Sequence, residues 1–383
     1  MLALIFWGSL VAIAYTYVGY PSVVGVLARL RPPLEPYPPS TPFVTLLIAA
    51  YNEQDTIAAK IENSLALDYP ADRFEIIVAS DGSTDGTADI VKTYASHGVV
   101  LQQSRARSGK TAAINRAMCT ARGDVVVLSD ANNLYDPGTL RAVVAPFVDS
   151  TVGAACGNKH IARGDGALGD SEGAYWKYEG WIKRQETRLG CTVAVLGEVF
   201  AIRRELFEPV PDNIVNDDFY IAMRIIKRGL RVVYVPEAIS RERVSPSAED
   251  EITRRTRMVA GLYQALVRPR ELMPWKKPVV CWQLVSHKFM RPLVPLWMIA
   301  ALATNVALAL QTGTSPWFGL LAGQVVFYAL ALVGLQYPAD GRVSRALYLP
   351  TFLVASNLAA LLGLYRFSTG QQSTQWTRLR RRV

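Results

Sequence analysis

Residues 123–136 of the chain read GDVVVLSDANNLYD, and this stretch decides the fold. The apolar, β-branched run from Val125 to Leu128 is typical of a strand that is buried on both faces, as in a parallel sheet. Ligands of open α/β sheets bind outside the carboxyl ends of the strands, so we expect Asp130 and Asn132 to face a crevice. The alternative is a plain strand-to-loop turn, in which Asp and Asn are common.

Two earlier segments repeat the pattern of an apolar strand with a polar end. Val44–Ala49 and Phe74–Ala79 read as buried strands, and a helix that starts near Asp55, a good N-cap, lies between them. Strand, helix and strand at this spacing form a βαβ unit, which predicts an α/β domain with a mainly parallel sheet.

Several common site types lack their sequence signature here. No G-x-G-x-x-G follows the first strand and no G-x-x-x-x-G-K-[ST] loop occurs, which disfavours dinucleotide-binding and P-loop domains. The cysteines show neither paired zinc spacing nor a disulfide framework. They are Cys119, Cys156, Cys191 and Cys281.

Half of the 383 residues are hydrophobic, and this excess is concentrated in four nearly uncharged segments. Each is close to the ~20 residues that a membrane-spanning helix requires, which predicts an integral membrane protein rather than a set of buried core helices. The first segment lacks a basic start, so we expect a retained anchor rather than a signal peptide. The segments are Leu2–Tyr20, Pro292–Gln311, Trp317–Tyr337 and Ala346–Phe367.

Basic residues flank these segments and account for much of the net charge of +9. The positive-inside rule then places the hydrophilic middle of the chain in the cytosol, in an inner or plasma membrane. Anionic lipids explain this charge better than nucleic acid. Four crossings would put the basic tail Arg378–Val383 outside, whereas its arginines favour the inside, so the sequence leaves the side of the tail open.

These features divide the chain into five parts. The linker before the second part is rich in proline, and the third part interleaves basic, apolar and Trp residues in the manner of an interfacial helix. The parts are a transmembrane anchor (1–30), a cytosolic α/β domain (41–270), an interfacial amphipathic helix (274–291), three transmembrane helices (292–367) and a basic tail (368–383).

Four motifs in the α/β domain occur in an order and spacing that resemble a known family. They are AAYNE (49–53), ASDGSTDGT (79–87), SGKTAAIN (108–115) and SDAN (129–132). Together they resemble the inverting glycosyltransferases that include cellulose, hyaluronan and chitin-oligosaccharide synthases, often called family 2. The resemblance covers about residues 43–266 and implies a GT-A-like nucleotide-sugar-binding domain beside transmembrane helices.

The resemblance assigns the donor site residue by residue. It implies that Tyr51 and Glu53 border the base and ribose, that Asp81 contacts uracil, and that Lys110 lies near the base or diphosphate. Asp130 and Asn132 then hold Mg²⁺ or Mn²⁺, hard cations that prefer oxygen ligands. Since Asn132 is uncharged, Asp130 is expected to carry most of the metal binding, with Asp136 as a fallback.

The sequence Asn216-Asp217-Asp218 lies at the start of a predicted helix, where acids also serve as simple N-caps. The resemblance places Asp218 on the family's catalytic aspartate, which takes the proton of the acceptor hydroxyl as general base. Asp217 is its neighbour and an acceptor-site candidate.

Arg254 and Arg257 lie where processive members carry Gln-x-x-Arg-Trp, and arginine suits a diphosphate. A solvated basic helix face is the alternative. Met258 replaces the tryptophan on which acceptor sugars stack, which disfavours processive polymerisation. Further acceptor-site candidates are Glu198 and Trp176, although Trp176 can equally pack on a membrane helix.

The sequence therefore predicts a metal-dependent inverting glycosyltransferase embedded in a membrane. Its expected partners are a nucleotide sugar, by preference a UDP-sugar, a polysaccharide or oligosaccharide acceptor, and membrane lipids, with no nucleic acid. One alternative is transfer of a single sugar to a lipid-linked acceptor. Another is an inactive membrane scaffold that binds a nucleotide or lipid.

Overall fold

A computed structural model describes residues 1–161, 166–243, 248–313, 315–336 and 342–371. The chain forms an α/β domain with one mixed sheet, and helices from both ends of the chain pack beneath it. The predicted tail at 368–383 lies almost wholly outside the described residues.

Eight strands form a single sheet in the order β3-β2-β1-β4-β7-β6-β8-β5. The first half, β3-β2-β1-β4, is parallel, whereas β7 pairs antiparallel with both β4 and β6. β6 and β8 are parallel again, and β5 is an antiparallel edge. The strands are β1 (Val44–Ala50), β2 (Phe74–Asp81), β3 (Val99–Ser104), β4 (Val125–Asp130), β5 (Leu134–Tyr135), β6 (Val152–Ile161), β7 (Phe200–Arg203) and β8 (Arg231–Glu242).

The predicted βαβ unit and the buried central strand are confirmed. All seven residues of β1 are buried, as are Val125 to Ser129 of β4, because helices cover both faces of the sheet. Since β1 and β4 are parallel neighbours, their polar ends meet at one edge. The first helix after β1 differs by one residue from the prediction, because Thr56 rather than Asp55 occupies its N-cap position.

The helices of the α/β domain lie between residues 57 and 272, and short 3₁₀ turns join some of them. The helices are α3 (Ile57–Leu65), α4 (Thr87–Thr93), α5 (Lys110–Met118), α6 (Thr139–Val144), α7 (Gly166–Arg188), α8 (Asp217–Lys227), α9 (Ala248–Leu266) and α10 (Pro269–Leu272). The 3₁₀ turns are Ala71–Arg73, Ala95–His97, Ala145–Val148 and Arg204–Leu206.

Four helical stretches of the described chain are long and apolar enough to cross a membrane: Leu2–Arg29, Pro278–Thr312, Ser315–Gly334 and Leu349–Ser368. The first two contain π-helical turns. The segments are α1 (Leu2–Ala14), a π turn (Tyr15–Gly19), α2 (Tyr20–Arg29), α11 (Pro278–Gln283), a π turn (Leu284–Phe289), α12 (Met290–Thr312), α13 (Ser315–Gln336) and α14 (Arg342–Ser368).

The structure differs from the separate interfacial helix that we predicted at 274–291. Helix α11 begins at Pro278 and continues through the π turn into α12 without a break. His287 within this segment is fully buried against α7 rather than exposed at a surface. Lys277, one of the basic residues that suggested an interfacial helix, also serves an internal contact, because it donates to the Gly229 carbonyl over 2.6 Å.

Helix α7 joins the α/β domain to the membrane helices through its aromatic side chains. The Tyr178 hydroxyl donates to the Tyr17 carbonyl over 2.7 Å, and the rings of Tyr175 and Phe352 lie 5.6 Å apart. Trp181 packs against Gly25, where a Cβ atom would come within 2.8 Å of the indole. These three aromatic residues pack on membrane helices, as the packing alternative for this helix predicts.

Candidate functional site

Asp130 ends β4 beside β1, and Lys110 is the first residue of α5. The Lys110 ammonium donates to Asp130 Oδ1 over 2.5 Å. Burial alone would lower the pKa of Lys110, but the carboxylates of Asp130, Asp217 and Asp218 outweigh it and raise that pKa. Lys110 is therefore a cation held at the end of the central strand.

The end of β4 is held in place by Asn133, which the sequence analysis did not single out. Its side chain is fully buried, and its amide nitrogen donates to the Glu198 carbonyl over 3.0 Å and to the Ser240 hydroxyl over 2.7 Å. Its amide oxygen accepts from Ser129 over 3.2 Å. These bonds tie the strand end to β8 and to the loop before β7, which orders the positions around Asp130.

Helix α8 begins with Asp217 and Asp218, while Asn216 at its N-cap makes no capping side-chain bond. Asp218 Oδ1 accepts from the Phe219 amide over 2.7 Å. Behind it, a Cβ on Gly197 would come within 3.2 Å of Asp218 Oδ2, so a glycine there leaves space for the carboxylate. Burial raises the pKa of Asp218, and repulsion from Asp217 raises it further, to about 6. The positive charge of Lys110 acts in the opposite direction.

The two arginines of α9 differ in their surroundings. The guanidinium of Arg254 donates twice to Glu251, over 2.9 and 2.7 Å. Arg257 makes no hydrogen bond or ion pair with any residue that the structure describes. Of this predicted diphosphate-binding pair, Arg257 alone therefore keeps its hydrogen-bonding groups for a ligand.

Arg257 also lies within electrostatic reach of the carboxylates already named. Burial lowers its pKa, against the opposing effect of Asp217, Asp130 and Asp218. Five charged side chains from four elements thus come together at the carboxyl end of β4, although up to 147 positions of sequence separate them. They are Lys110, Asp130, Asp217, Asp218 and Arg257.

The side chains at the end of β4 fit a divalent cation that takes some ligands from the protein and the others from a substrate phosphate. Asp130 and Asn132 offer a carboxylate and an amide oxygen at one strand end, and within the described ranges no group of three or more His, Cys, Asp or Glu side chains could hold a metal. Mg²⁺ typically binds one or two carboxylates together with substrate phosphates. The fallback ligand Asp136 is instead taken by Arg241, which donates to it over 2.5 and 2.7 Å.

Asp81, the predicted uracil contact, lies at the carboxyl end of β2. Its carboxylate is fully buried and accepts from the amides of Ser108 over 3.0 Å and Gly109 over 2.6 Å. In this structure it therefore orders the loop that leads into α5 and sets the position of Lys110.

Tyr51 and Glu53 follow β1 on the same edge of the sheet. The Arg107 guanidinium lies 4.0 Å from the centroid of the Tyr51 ring, and Glu53 Oε2 accepts from Thr56 over 2.8 Å. Arg107 was not singled out by the sequence, because a loop arginine carries no pattern that indicates what it stacks on.

The remaining acceptor-site candidates differ in their surroundings. The Lys159 ammonium donates to Glu198 over 3.0 Å, pairs with Glu242 as well, and lies 5.4 Å from the Trp176 ring. Met258 is 44% exposed on α9. The structure thus groups Glu198 with Trp176 and leaves Met258 at the surface.

Comparison with known proteins was made for the whole chain. The profile of a family described as "Glycosyltransferase like family 2" matches residues 39–261, which is more than half of the chain. That range contains every candidate site residue described above.

Two curated relatives match about the same part of the chain. A poly-beta-1,6-N-acetyl-D-glucosamine synthase of Staphylococcus aureus is 28% identical over 231 residues, which are 59% of this chain and 56% of that protein. A beta-monoglucosyldiacylglycerol synthase of Nostoc sp. is 29% identical over 233 residues, 58% of this chain and 50% of that protein. The chain thus spans about half the length of the curated relatives it matches.

A solved structure resembles the chain over nearly its whole length. It is the mannosyltransferase PcManGT of Pyrobaculum calidifontis in complex with GDP-mannose and Mn²⁺, with a TM-score of 0.70 and 26% sequence identity. The match covers 94% of this chain and 99% of that one, so it includes membrane helices as well as the sheet.

Proposed function

Because the chain belongs to glycosyltransferase-like family 2, we propose that it transfers one sugar from a nucleotide sugar to an acceptor at a membrane, with Asp218 as general base. The predicted glycosyltransferase class and the GT-A-like α/β fold are confirmed by this membership and by the likeness to PcManGT. The donor, the acceptor and the residue roles below are proposals.

The observation that carries the proposal is the charged cluster at the end of β4. It combines a partly buried carboxylate, Asp218, whose pKa is raised to about 6 chiefly by burial, with a cation, Arg257, that has no partner among the described residues. A general base works best when its pKa lies near the operating pH. An arginine without a protein partner suits the diphosphate that leaves.

In the proposed reaction, Asp218 accepts the proton of an acceptor hydroxyl while that oxygen attacks the anomeric carbon. The bond from the anomeric carbon to the diphosphate oxygen breaks on the opposite face, and the nucleoside diphosphate leaves with the electron pair. Inversion follows from this single displacement, which needs one carboxylate rather than the two of glycoside hydrolysis.

Lys110 and Arg257 face the charge that develops on the leaving diphosphate. Since Asp130 holds Lys110 before the reaction, Lys110 stabilises this charge without rearrangement. A divalent cation bound by Asp130 and Asn132 would neutralise further charge on the diphosphate. Asp81 contributes by fixing the loop that carries Lys110.

The donor is a nucleoside diphosphate sugar, and separate observations support uracil and guanine as its nucleobase. The sequence motifs favour UDP, whereas the neighbour that matches over its full length was crystallised with GDP-mannose. We expect nucleotide release from one donor of a panel of UDP-, GDP- and CDP-sugars, with Mn²⁺ or Mg²⁺ and the full chain in lipid. No release from any donor would instead support an inactive scaffold.

Polymer synthesis is the second candidate function, because one relative is named a poly-N-acetylglucosamine synthase. Met258 favours single addition, since an exposed thioether replaces the aromatic ring of processive members. Mass analysis of the product distinguishes the two, because a ladder of masses indicates polymerisation and one added sugar indicates single transfer.

Arg257→Ala is expected to lower kcat/KM for the donor by about 10- to 100-fold, which corresponds to the loss of a hydrogen-bonded charge. Arg254→Ala is the matched control, three residues away on the same helix. Its guanidinium is engaged by Glu251, so its effect is expected to be several times smaller. Equal losses in the two variants would contradict the assignment of the diphosphate to Arg257.

The orientation in the membrane remains part of the proposal. Four candidate spans and the basic residues beside them support a cytosolic α/β domain, where nucleotide sugars are made. Protease accessibility of the linker at residues 31–42 in inside-out and right-side-out vesicles tests this arrangement.

A further inference from the structure

The two π-helical turns of the membrane helices contact each other beneath the α/β domain. The hydroxyls of Tyr15 and Ser286, one from each turn, lie 2.9 Å apart, and the Trp282 indole donates to the same tyrosine over 2.9 Å. π turns are rare in proteins, and those that occur often lie at functional sites. The contact between these two turns is therefore a candidate binding site.

Beside these turns, His287 lies between two carboxylates of α7. One ring nitrogen is 2.6 Å from Glu186 and the other is 3.2 Å from Glu179, and all three side chains are almost completely buried. Tyr20 also donates to Glu186, and Arg291 to Glu179. These carboxylates thus have partners and fix the start of α12 against the α/β domain.

Three other side chains, on the continuous helix formed by α11, the π turn and α12, have polar atoms without a hydrogen-bond partner among the described residues. Gln283 is fully buried, yet neither its amide oxygen nor its amide nitrogen has a partner. The Nε and Nη2 atoms of Arg291 are likewise buried without a partner. Lys288 makes no hydrogen bond or ion pair with the part of the chain that the structure describes.

The same segment lies beside the proposed catalytic base. Phe289 and Phe219, which follow Lys288 and Asp218 in the sequence, have ring centroids 6.5 Å apart. Lys288 also lowers the pKa of Asp218, because the ammonium attracts the carboxylate. A group bound by Lys288 would thus lie near the reacting hydroxyl.

We propose that Gln283, Lys288 and Arg291 bind the phosphate of an anionic lipid and present a hydroxyl of its head group to Asp218. Lys288 and Arg291 lie three residues apart, and Gln283 lies one π-helical turn before Lys288. A buried donor without a partner costs free energy, so a phosphate oxygen that accepts from these groups recovers this cost. The proposal rests on the proposed glycosyltransferase function and adds the chemistry of the acceptor.

Two lipids that differ in the phosphate test this site. Phosphatidylglycerol has a phosphate and free hydroxyls, whereas diacylglycerol has a hydroxyl alone. We expect the full chain in detergent to bind phosphatidylglycerol about tenfold or more tightly than diacylglycerol by native mass spectrometry, as one charged hydrogen bond implies. Lys288→Met is expected to abolish this preference and Lys288→Arg to keep most of it.

Lys276→Met is the matched control, an exposed lysine near the start of the same helix, and it should keep the full preference. Gln283→Leu, which removes buried polar atoms without removing charge, should weaken the preference less than Lys288→Met. Equal binding of the two lipids by the wild type, or an unchanged preference in Lys288→Met, would overturn the proposal. If inorganic phosphate bound this site as tightly as phosphatidylglycerol does, the ligand would be a free phosphate and the claim of a lipid ligand would be overturned.

Nucleotide release in native membrane lipids, which supply the acceptor, separates the two levels of the argument when it is measured on the same preparation. Release together with no phosphate preference would refute the lipid site and leave the glycosyltransferase function standing. A phosphate preference with no release from any donor would refute the catalytic proposal, and with it the presentation of a hydroxyl to Asp218.

Discussion

Asp218→Asn is expected to bind the donor almost as tightly as the wild type and to transfer sugar about 10²- to 10⁴-fold more slowly. General-base catalysis contributes about 10²- to 10⁴-fold, and the amide cannot accept the proton of the acceptor hydroxyl. The space beside Gly197 accommodates an isosteric side chain, so the geometry of the site should persist. Donor affinity by calorimetry and product formation by mass spectrometry measure the two effects separately.

The pH dependence of the wild type gives a second test of the same residue. Because the pKa of Asp218 is raised to about 6, the carboxylate becomes protonated as the pH falls below that value. We expect kcat to fall about tenfold per pH unit below 6, as for any base with a single pKa. A flat profile between pH 5 and 7, roughly the range around that pKa, would exclude Asp218 as the base.

The thermal stability of Asp218→Asn should be equal to or higher than that of the wild type at neutral pH. A raised pKa means that the folded state holds the proton more tightly than the unfolded state. This carboxylate therefore costs stability progressively as the pH rises from its ordinary pKa of 3.8 to about 6, and the full cost is present at neutral pH. The uncharged amide removes both the burial penalty and the repulsion from Asp217. Asp212→Asn, at an exposed aspartate nearby, is the control and should change neither activity nor melting temperature.

The sequence predicted the centre of the fold well because its signals there are local. The β-branched run before Asp130 predicts a strand buried on both faces, and the chain places it beside β1 in a parallel pair. The antiparallel β7 in the middle of the sheet was not predicted. Its pairing with β4 joins residues more than 70 positions apart, and no periodicity within a segment reveals such a contact.

Residue type alone could not separate a ligand contact from an internal one. Asp81 carries the pattern of a base-binding aspartate, and nothing in the sequence indicates that its carboxylate also accepts from the backbone amides of Ser108 and Gly109. Arg254 was in principle recognisable, because Glu251 lies three residues before it on the same helix and such pairs interact. Arg257 has no acid at that spacing in either direction, which is a sequence signal that it is available to a ligand.

The segment at 274–291 shows why basic residues near a membrane are difficult to interpret. His287 is buried because Glu179 and Glu186 lie on α7, about 100 positions earlier in the sequence. Without those partners in view, the pattern of basic and apolar residues is that of an interfacial helix. The π turn has no sequence signature of its own, so its contact with Tyr15 could not be foreseen.

Asp130→Ala is expected to lower the affinity for the nucleoside diphosphate by at least about 100-fold in the presence of Mn²⁺, and to abolish the dependence of that affinity on the metal. Loss of a group that only orients a ligand already costs about 10- to 100-fold in metal affinity, and Asp130 is proposed to ligate directly. Asn132 alone offers one neutral oxygen. Calorimetric titration of UDP and GDP, with Mn²⁺ and with a chelator, measures the difference.

Asp130 also pairs with Lys110, so its removal affects two interactions at once. Asp130→Asn keeps the shape and an amide oxygen while it removes the charge from both interactions, and we expect an intermediate loss. Asp136→Ala is the matched control, since it removes a carboxylate only six residues further along the chain that Arg241 already occupies. If Mn²⁺ still raised the nucleotide affinity of Asp130→Ala as much as that of the wild type, the metal would bind elsewhere. If instead Asp136→Ala lost the metal dependence, the fallback ligand would be the true one, and Arg241 would have to leave it when the donor binds.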